Sequence, residues 1–219
     1  MKNVLARIGV EVVRFLYLSV FWWVRGWKIE APLVDLPRMV IAAAPHTTNM
    51  DYAHFLAAAI TYRRRPLVTV KQELTRGPIG WFVRALGGIA IDRNRRTNAV
   101  EQLAGYFEGQ KRRVVVFTPD GTRSYRPHWK TGFYWAAVKA DVPIVLGYID
   151  YPRKRIGFSD PIYPTGDIQA DFQQVIEFYS TRGVGLYPDQ ATTVALPPQA
   201  DPETAEPQPV VEAVTPEQG

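Results

Sequence analysis

The chain contains no cysteine among its 219 residues, so disulfides, thiolate nucleophiles and cysteine-bearing zinc sites are excluded. Histidine is almost as scarce, present only as His46, His54 and His128, and a histidine-rich metal site is not expected. Chemistry therefore falls to imidazole, oxygen, arginine and backbone groups. Long hydrophobic runs are also missing. Residues 4–24 are apolar but broken by Arg7, Glu11 and Arg14, and the unbroken part, 15–24, is about half of the ~20 residues a membrane span needs. Lys and Arg are absent from 196–219, where five acids stand (Asp201, Glu203, Glu206, Glu212 and Glu217).

What is present complements those gaps. All 26 basic residues and only 16 of the 21 acids lie before residue 196, so the body is strongly basic and suits anionic partners. In the first segment, Arg7, Glu11 and Arg14 are spaced four and three apart, which gathers them on one face of a helix. Phe15, Tyr17, Phe21, Trp22 and Trp23, followed by Arg25 and Lys28, have the composition of an interfacial anchor. We expect residues 1–28 to form an amphipathic helix lying in the membrane plane. The alternatives are a helix packed on the core and, less well supported, a true span. A cleaved signal peptide fits poorly, because Trp and Arg occupy the place of a small-residue cleavage site.

After Pro37, short apolar runs alternate with helical stretches. Strands are expected at 39–44, 67–70, 89–91, 114–117 and 144–149. Helices are expected at 51–62, 78–86, from a Thr97 cap to about 108, at 131–140 and from Asp167 to about 180. This alternation predicts a single α/β domain over 29–190 with a largely parallel central sheet flanked by helices. Beyond Gln190 the chain is rich in Pro, Ala, Glu and Gln without periodicity, and 191–219 reads as a disordered acidic tail. There are no internal repeats.

Ligands of such sheets sit in the loops that leave the carboxyl ends of strands, here 45–50, 92–96 and 118–130. In the first, His46 ends a strand and Asp51 opens a helix, where it can cap the helix or face back to the loop. If it takes the Nδ1 proton of His46, Nε2 is left as a general base for a hydroxyl. The bland alternative is a plain helix cap beside an uninvolved histidine. His54, one turn further on, competes for the role but points along the helix. In the third loop, Gly121 permits a tight turn, Thr122 and Ser124 offer hydroxyls, and Arg123 can clamp a phosphate through two N–H groups. The second loop adds Arg93, Arg95 and Arg96. Two arginine-bearing loops at neighbouring strand ends would make an anion pocket, with Arg95 and Arg96 the more readily explained as a solvated turn. The aromatics lie in apolar runs and not among the arginines, which argues against nucleic-acid binding.

Four blocks in order resemble the lysophosphatidic acid acyltransferase (glycerolipid acyltransferase) superfamily. They are the His46-x-x-x-x-Asp51 spacing, Gly88 to Arg93, Pro119-Asp120-Gly121-Thr122-Arg123-Ser124, and Val142-Pro143-Ile144-Val145. The resemblance covers about residues 39–150. Asp120 stands where the pattern carries Glu, shortening the reach by about 1.5 Å, one C–C bond. Leu146 stands where a second proline is common.

The resemblance implies a fatty-acyl transfer from acyl-CoA or acyl-carrier protein to a lysophospholipid hydroxyl, by default that of 1-acyl-glycerol-3-phosphate. It implies no cofactor and no metal. His46 and Asp51 would be catalytic. Arg93, Asp120, Gly121, Thr122, Arg123 and Ser124 would bind the acceptor, with amides near Gly121 helping to hold its phosphate. Helix 78–86, with Trp81 and Phe82, is a candidate lining for an acyl groove, with ordinary core packing the more readily expected role of each residue. Arg63-Arg64-Arg65 would face a carrier protein, anionic lipid or solvent. The implied setting is the cytoplasmic face of the cell membrane. A catalytically silent lipid-binding protein of the same fold is the alternative.

Overall fold

The computed structural model describes residues 11–12, 14–71, 80–81, 83–84, 87–91 and 96–198. Its centre is a seven-stranded sheet: β1 (Lys28–Ala31), β2 (Arg38–Ala44), β3 (Leu67–Lys71), β4 (Gly88–Ile91), β5 (Arg113–Phe117), β6 (Ile144–Asp150) and β7 (Arg155–Phe158). The spatial order is β1-β7-β6-β2-β5-β3-β4, and every pair is parallel except β6 with β7. Among the described residues, α1 (Asp51–Thr61), α2 (Arg96–Gly105), α3 (Gly132–Ala140) and α4 (Ile168–Ser180) connect or flank the strands.

The central strands are nearly continuous apolar runs because both of their faces are covered. All seven residues of β6 are buried. Along β2, Val40, Ala42 and Ala44 point into a cluster with Phe107, Trp129, Phe133 and Phe172, beneath α2, α3 and α4. The alternate residues Met39 and Ile41 face Phe21, Trp27, Ala57 and Ala58, beneath α1 and the N-terminal helix. The strand's period of two thus divides one sequence between two cores. Ala57 and Ala58, on the inner side of α1, are buried in this second core.

Three expectations need correction. Strands β1 and β7 were not anticipated, because at four residues each, with Lys28, Glu30 and Arg155 among them, they carry little apolar signal and are defined by the partners they pair with. Thr97 does not cap α2, which already begins at Arg96 and ends at Gly105. Residues 191–198, expected to belong to the disordered tail, pack on the domain. Trp129 N–H donates to Ala195 O at 2.9 Å, Thr193 N–H donates to Arg126 O at 3.0 Å, Thr192 is buried, and Val194 and Leu196 pack on the core. Residues 199–219 lie outside the described residues, as do 1–10 of the N-terminal segment. Asp167, expected to open the last helix, is its cap and accepts the N–H groups of Gln169 and Ala170, an arrangement typically worth ~1 kcal/mol.

The N-terminal helix, followed from residue 11 and ending in a π-helical turn at Ser19–Val24, has two sides. Phe21 is buried, Tyr17 Oη donates to Ala53 O at 3.0 Å, and Trp22 Nε1 donates to Thr61 Oγ1 at 3.1 Å. The other side exposes Val12, Phe15, Leu16, Val20, Trp23 (87% exposed) and Val24. No helix among the described residues is long and apolar enough to cross a membrane.

Candidate active site

Strand β2 has β6 on one side and β5 on the other, so its carboxyl end is a point where chain connections diverge, the usual position of a ligand crevice in an open parallel sheet. His46 follows this strand after a cis Ala44–Pro45 bond. Its Nδ1 lies 3.0 Å from Asp51 Oδ2, and its side chain is 25% exposed. The same carboxylate oxygen accepts the amides of Thr47 at 2.9 Å and Thr48 at 3.0 Å. Met50, not Asp51, is the cap residue of α1, so the carboxylate turns back and organises the loop before its helix. With Oδ2 occupied as an acceptor, the imidazole proton belongs on Nδ1, which leaves Nε2 as the acceptor.

Tyr151 was not anticipated. It follows β6, donates its hydroxyl to Asp51 Oδ1 at 2.7 Å, and completes a Tyr–Asp–His chain of hydrogen bonds. Burial, then the Asp51 contact, hold its phenol well above its ordinary range, so it remains a donor. Nothing local to Tyr151 signals this, although its position at the carboxyl end of a strand could have drawn attention.

Asp120 occupies the opposite side of the loop from the position a surface ligand would need. It is 2% exposed and accepts the backbone N–H of His46 through Oδ2. Burial pushes its carboxyl up to about 7, against the opposing pull of the His46 amide. The Trp129 indole lies close enough to favour the carboxylate, but not in hydrogen-bonding geometry with Oδ1. The amides of His46, Thr47 and Thr48 are therefore all committed to carboxylates, and the loop is preorganised from both sides.

The rest of the third loop lies nearby. Arg123 is exposed and donates through Nη1 to Asn49 Oδ1, which joins its loop to that of His46. Thr122 is half-buried and Ser124 exposed. The Gly121 amide donates to Thr118 O at 2.9 Å, closing a turn. At φ +66°, with Lys130 Cε 2.7 Å from where a Cβ would stand, Gly121 suits this turn, and Lys130 brings a second cation beside it. Arg93, with Asp92, Asn94 and Arg95, lies outside the described residues. Its strand β4 pairs only with β3, so loops 92–96 and 118–130 leave strands separated by β3 and not neighbouring ones.

His54 is buried, bonds Met50 O through Nδ1 at 2.8 Å, and sits 4.0 Å from the Trp27 ring and 5.1 Å from the Tyr151 ring, ring centre to ring centre. Desolvation lowers its pKa, as befits a neutral packing group. A further element missed at the sequence level is the strap 183–187. Val184 O accepts the Tyr151 amide at 2.9 Å, and Gly185 lies so close to Thr47 that a Cβ would come within 2.7 Å of its side chain.

An apolar cavity of about 330 Å³ runs from His46, Asn49, Asp51 and Thr118 to a space between α1 and the sheet. Its walls include Ala43, Phe55, Val68, Val116 and Phe158, with Val83 from the helical segment around residues 80–84. Trp81 does not line it and is 69% exposed, and Phe82 lies outside the described residues. An aligned imidazole at the polar end of an apolar channel can take a proton from a hydroxyl while a hydrocarbon chain is kept from water.

Residues 33–148 match the model of the family described as Acyltransferase. The chain is 35% identical over 114 residues to the 1-acyl-sn-glycerol-3-phosphate acyltransferase of Escherichia coli, covering 48% of this chain and 44% of that protein. It is 34% identical over 86 residues to the Saccharomyces cerevisiae protein of the same name, covering 36% of this chain and 28% of that one. The aligned part is thus less than half the length of either curated relative. The fold is similar to the crystal structure of the 1-acyl-sn-glycerophosphate (LPA) acyltransferase PlsC from Thermotoga maritima, with a TM-score of 0.52 at 17% identity over 81% of this chain and 79% of that one.

Proposed function

The chain belongs to the Acyltransferase family, and from that premise we propose that it moves a fatty-acyl chain from a thioester, acyl-CoA or acyl-carrier protein, to a free hydroxyl of a lysophospholipid. The default acceptor is 1-acyl-glycerol-3-phosphate, named for the two curated relatives, and the product is then phosphatidic acid. The observation that carries this reading is the His46–Asp51 pair, with Nδ1 held at 3.0 Å and Nε2 left as an acceptor at the polar end of an apolar channel.

His46 Nε2 takes the proton of the acceptor hydroxyl as that oxygen attacks the thioester carbonyl carbon. The tetrahedral intermediate collapses, the C–S bond breaks, and the imidazolium returns its proton to the thiolate. Asp51 holds the tautomer and offsets the charge of the imidazolium. Arg123, with Arg93 and Lys130, supplies cations for the acceptor's phosphate. The apolar channel holds acyl carbons at ~0.8 kcal/mol per buried methylene. The exposed apolar side of the N-terminal helix lies in the membrane interface at the cytoplasmic face, where both substrates are met.

Incubating the pure protein with a panel of lysolipids and both donor types, read by mass spectrometry, tests this directly. His46→Ala is expected to lose at least ~10²-fold in turnover, the lower end for removal of a general base. Wild-type-like turnover in that variant discards the mechanism. A silent lipid-binding protein would return every lysolipid unacylated.

A further inference from the structure

At the amino edge of the sheet, opposite His46, a cleft of about 650 Å³ is walled by Arg63, Arg64 and Arg65 after α1 and by Arg112 and Arg113 at the start of β5. Acid is scarce there. Arg64 and Arg112 both reach the same oxygen of Asp35, and Arg63 makes a two-pronged contact with Glu11, each prong 3.2 Å. Arg65 and Arg113 have no acidic partner within 4.0 Å among the described residues, and Arg113 Nε is buried without a hydrogen-bond partner. Burial and the charge of Arg112 lower the pKa of Arg64, as crowded cations should. Five guanidinium groups against two carboxylates, Asp35 and Glu11, are poorly balanced until another anion joins them. Their paired N–H groups match phosphate oxygens.

This cleft cannot serve the reacting centre. Arg113 pairs with Arg38, and eight residues of extended chain from Arg38 to His46 span ~26 Å at ~3.3 Å each. It does adjoin the N-terminal helix. Glu11 touches Arg63, and Arg14 Nε donates to Ile60 O at 3.3 Å. The outward side of the same helix is the apolar one, with Phe15, Leu16, Val20 and Trp23 exposed.

We propose that the arginine cleft is a second anion site, one that takes the phosphate-bearing headgroup of an anionic phospholipid while the adjoining helix lies in the membrane surface. This rests on the interfacial reading of that helix. The cleft would hold the enzyme to anionic membrane at the end of the sheet remote from the reaction. Its ligand is a bystander lipid and not the acceptor.

The test is sedimentation of the full chain with vesicles of phosphatidylcholine alone and of phosphatidylcholine doped with phosphatidylglycerol. Wild type should prefer the doped vesicles. Arg65→Gln with Arg112→Gln, both at exposed positions, should weaken that binding by roughly 10- to 30-fold, at ~1 kcal/mol per cation near an anionic surface. Binding to neutral vesicles and turnover on a detergent-dispersed lysolipid should not change. Equal binding of wild type and double variant to doped vesicles, or no preference in wild type, overturns the proposal. So does calorimetric binding of inorganic phosphate, or of purified acyl-carrier protein, that the double variant loses while vesicle binding stays intact. Trp23→Ser separates the two readings. If it leaves neutral-vesicle binding unchanged, the interfacial helix fails while the arginine comparison can still be read.

Discussion

The two ends of strand β2 are built on opposite principles. At the carboxyl end, two carboxylates accept four loop groups: Asp51 takes Nδ1 of His46 and the amides of Thr47 and Thr48, and Asp120 takes the amide of His46. At the amino end, five arginines meet two carboxylates, Asp35 and Glu11, both of them exposed. At the first end the His46 ring and three loop amides are held by carboxylates, the preorganised arrangement a proton-transfer site requires. The second carries cations in excess of the carboxylates that meet them. Held donors thus mark chemistry, and excess charge marks recognition.

The largest break in this comparison comes from the strap. Truncation after residue 182 removes the Val184 acceptor of the Tyr151 amide, the Gly185 contact with Thr47 and the packing of Val194 and Leu196. Activity should be lost and the melting temperature should fall, whereas truncation after residue 198 should leave both near wild type. An active 1–182 protein would mean that the carboxyl-end loop stands without its cover.

Next in size is Tyr151→Phe, which deletes one donor to Asp51. A hydrogen bond to a charged group contributes ~1.5–3 kcal/mol, so kcat should fall by roughly 10- to 150-fold with KM little changed. A fall in melting temperature with kcat unchanged would reduce Tyr151 to packing.

Asp120 provides a test by pH. Its carboxyl, ordinarily near 3.8, is pushed up to about 7 by burial in the fold. Below the lower value it is protonated in both states. As pH climbs through that window the unfolded chain releases the proton first, so stability due to this residue declines, and the full cost is present above the upper value. Asp120→Asn should remove that decline, improving the urea midpoint relative to wild type more at pH 8 than at pH 5. Parallel pH dependences in the two proteins would contradict it. The smallest effect is expected at the other end. Asp35→Asn removes exposed ion pairs and should shift stability by less than ~1 kcal/mol without altering turnover.

His46 and Asp51 could be read from the chain because they share one loop, where sequence spacing is nearly spatial spacing. Tyr151 could not, because it reaches Asp51 only after β6 has paired beside β2. Asp120 was visible as a residue, but its position was not. A loop carboxylate looks like a surface ligand until Trp129 and the His46 backbone enclose it. The arginine triplet stood out, whereas its convergence with Arg112 and Arg113 depended on the pairing of β2 with β5. The acidic tail was placed by composition, which cannot register that backbone groups of 193 and 195 bond to a distant loop.

By itself the sequence determined the alternation of strands and helices, the absence of thiol chemistry and the residues flanking the first loop, since each depends on periodicity, composition or local spacing. Tertiary structure alone decided which carboxylate is buried, which phenol completes the hydrogen-bond chain and which cations crowd together. Burial and long-range proximity follow from strand order and register, and neither quantity is carried by neighbours along the chain.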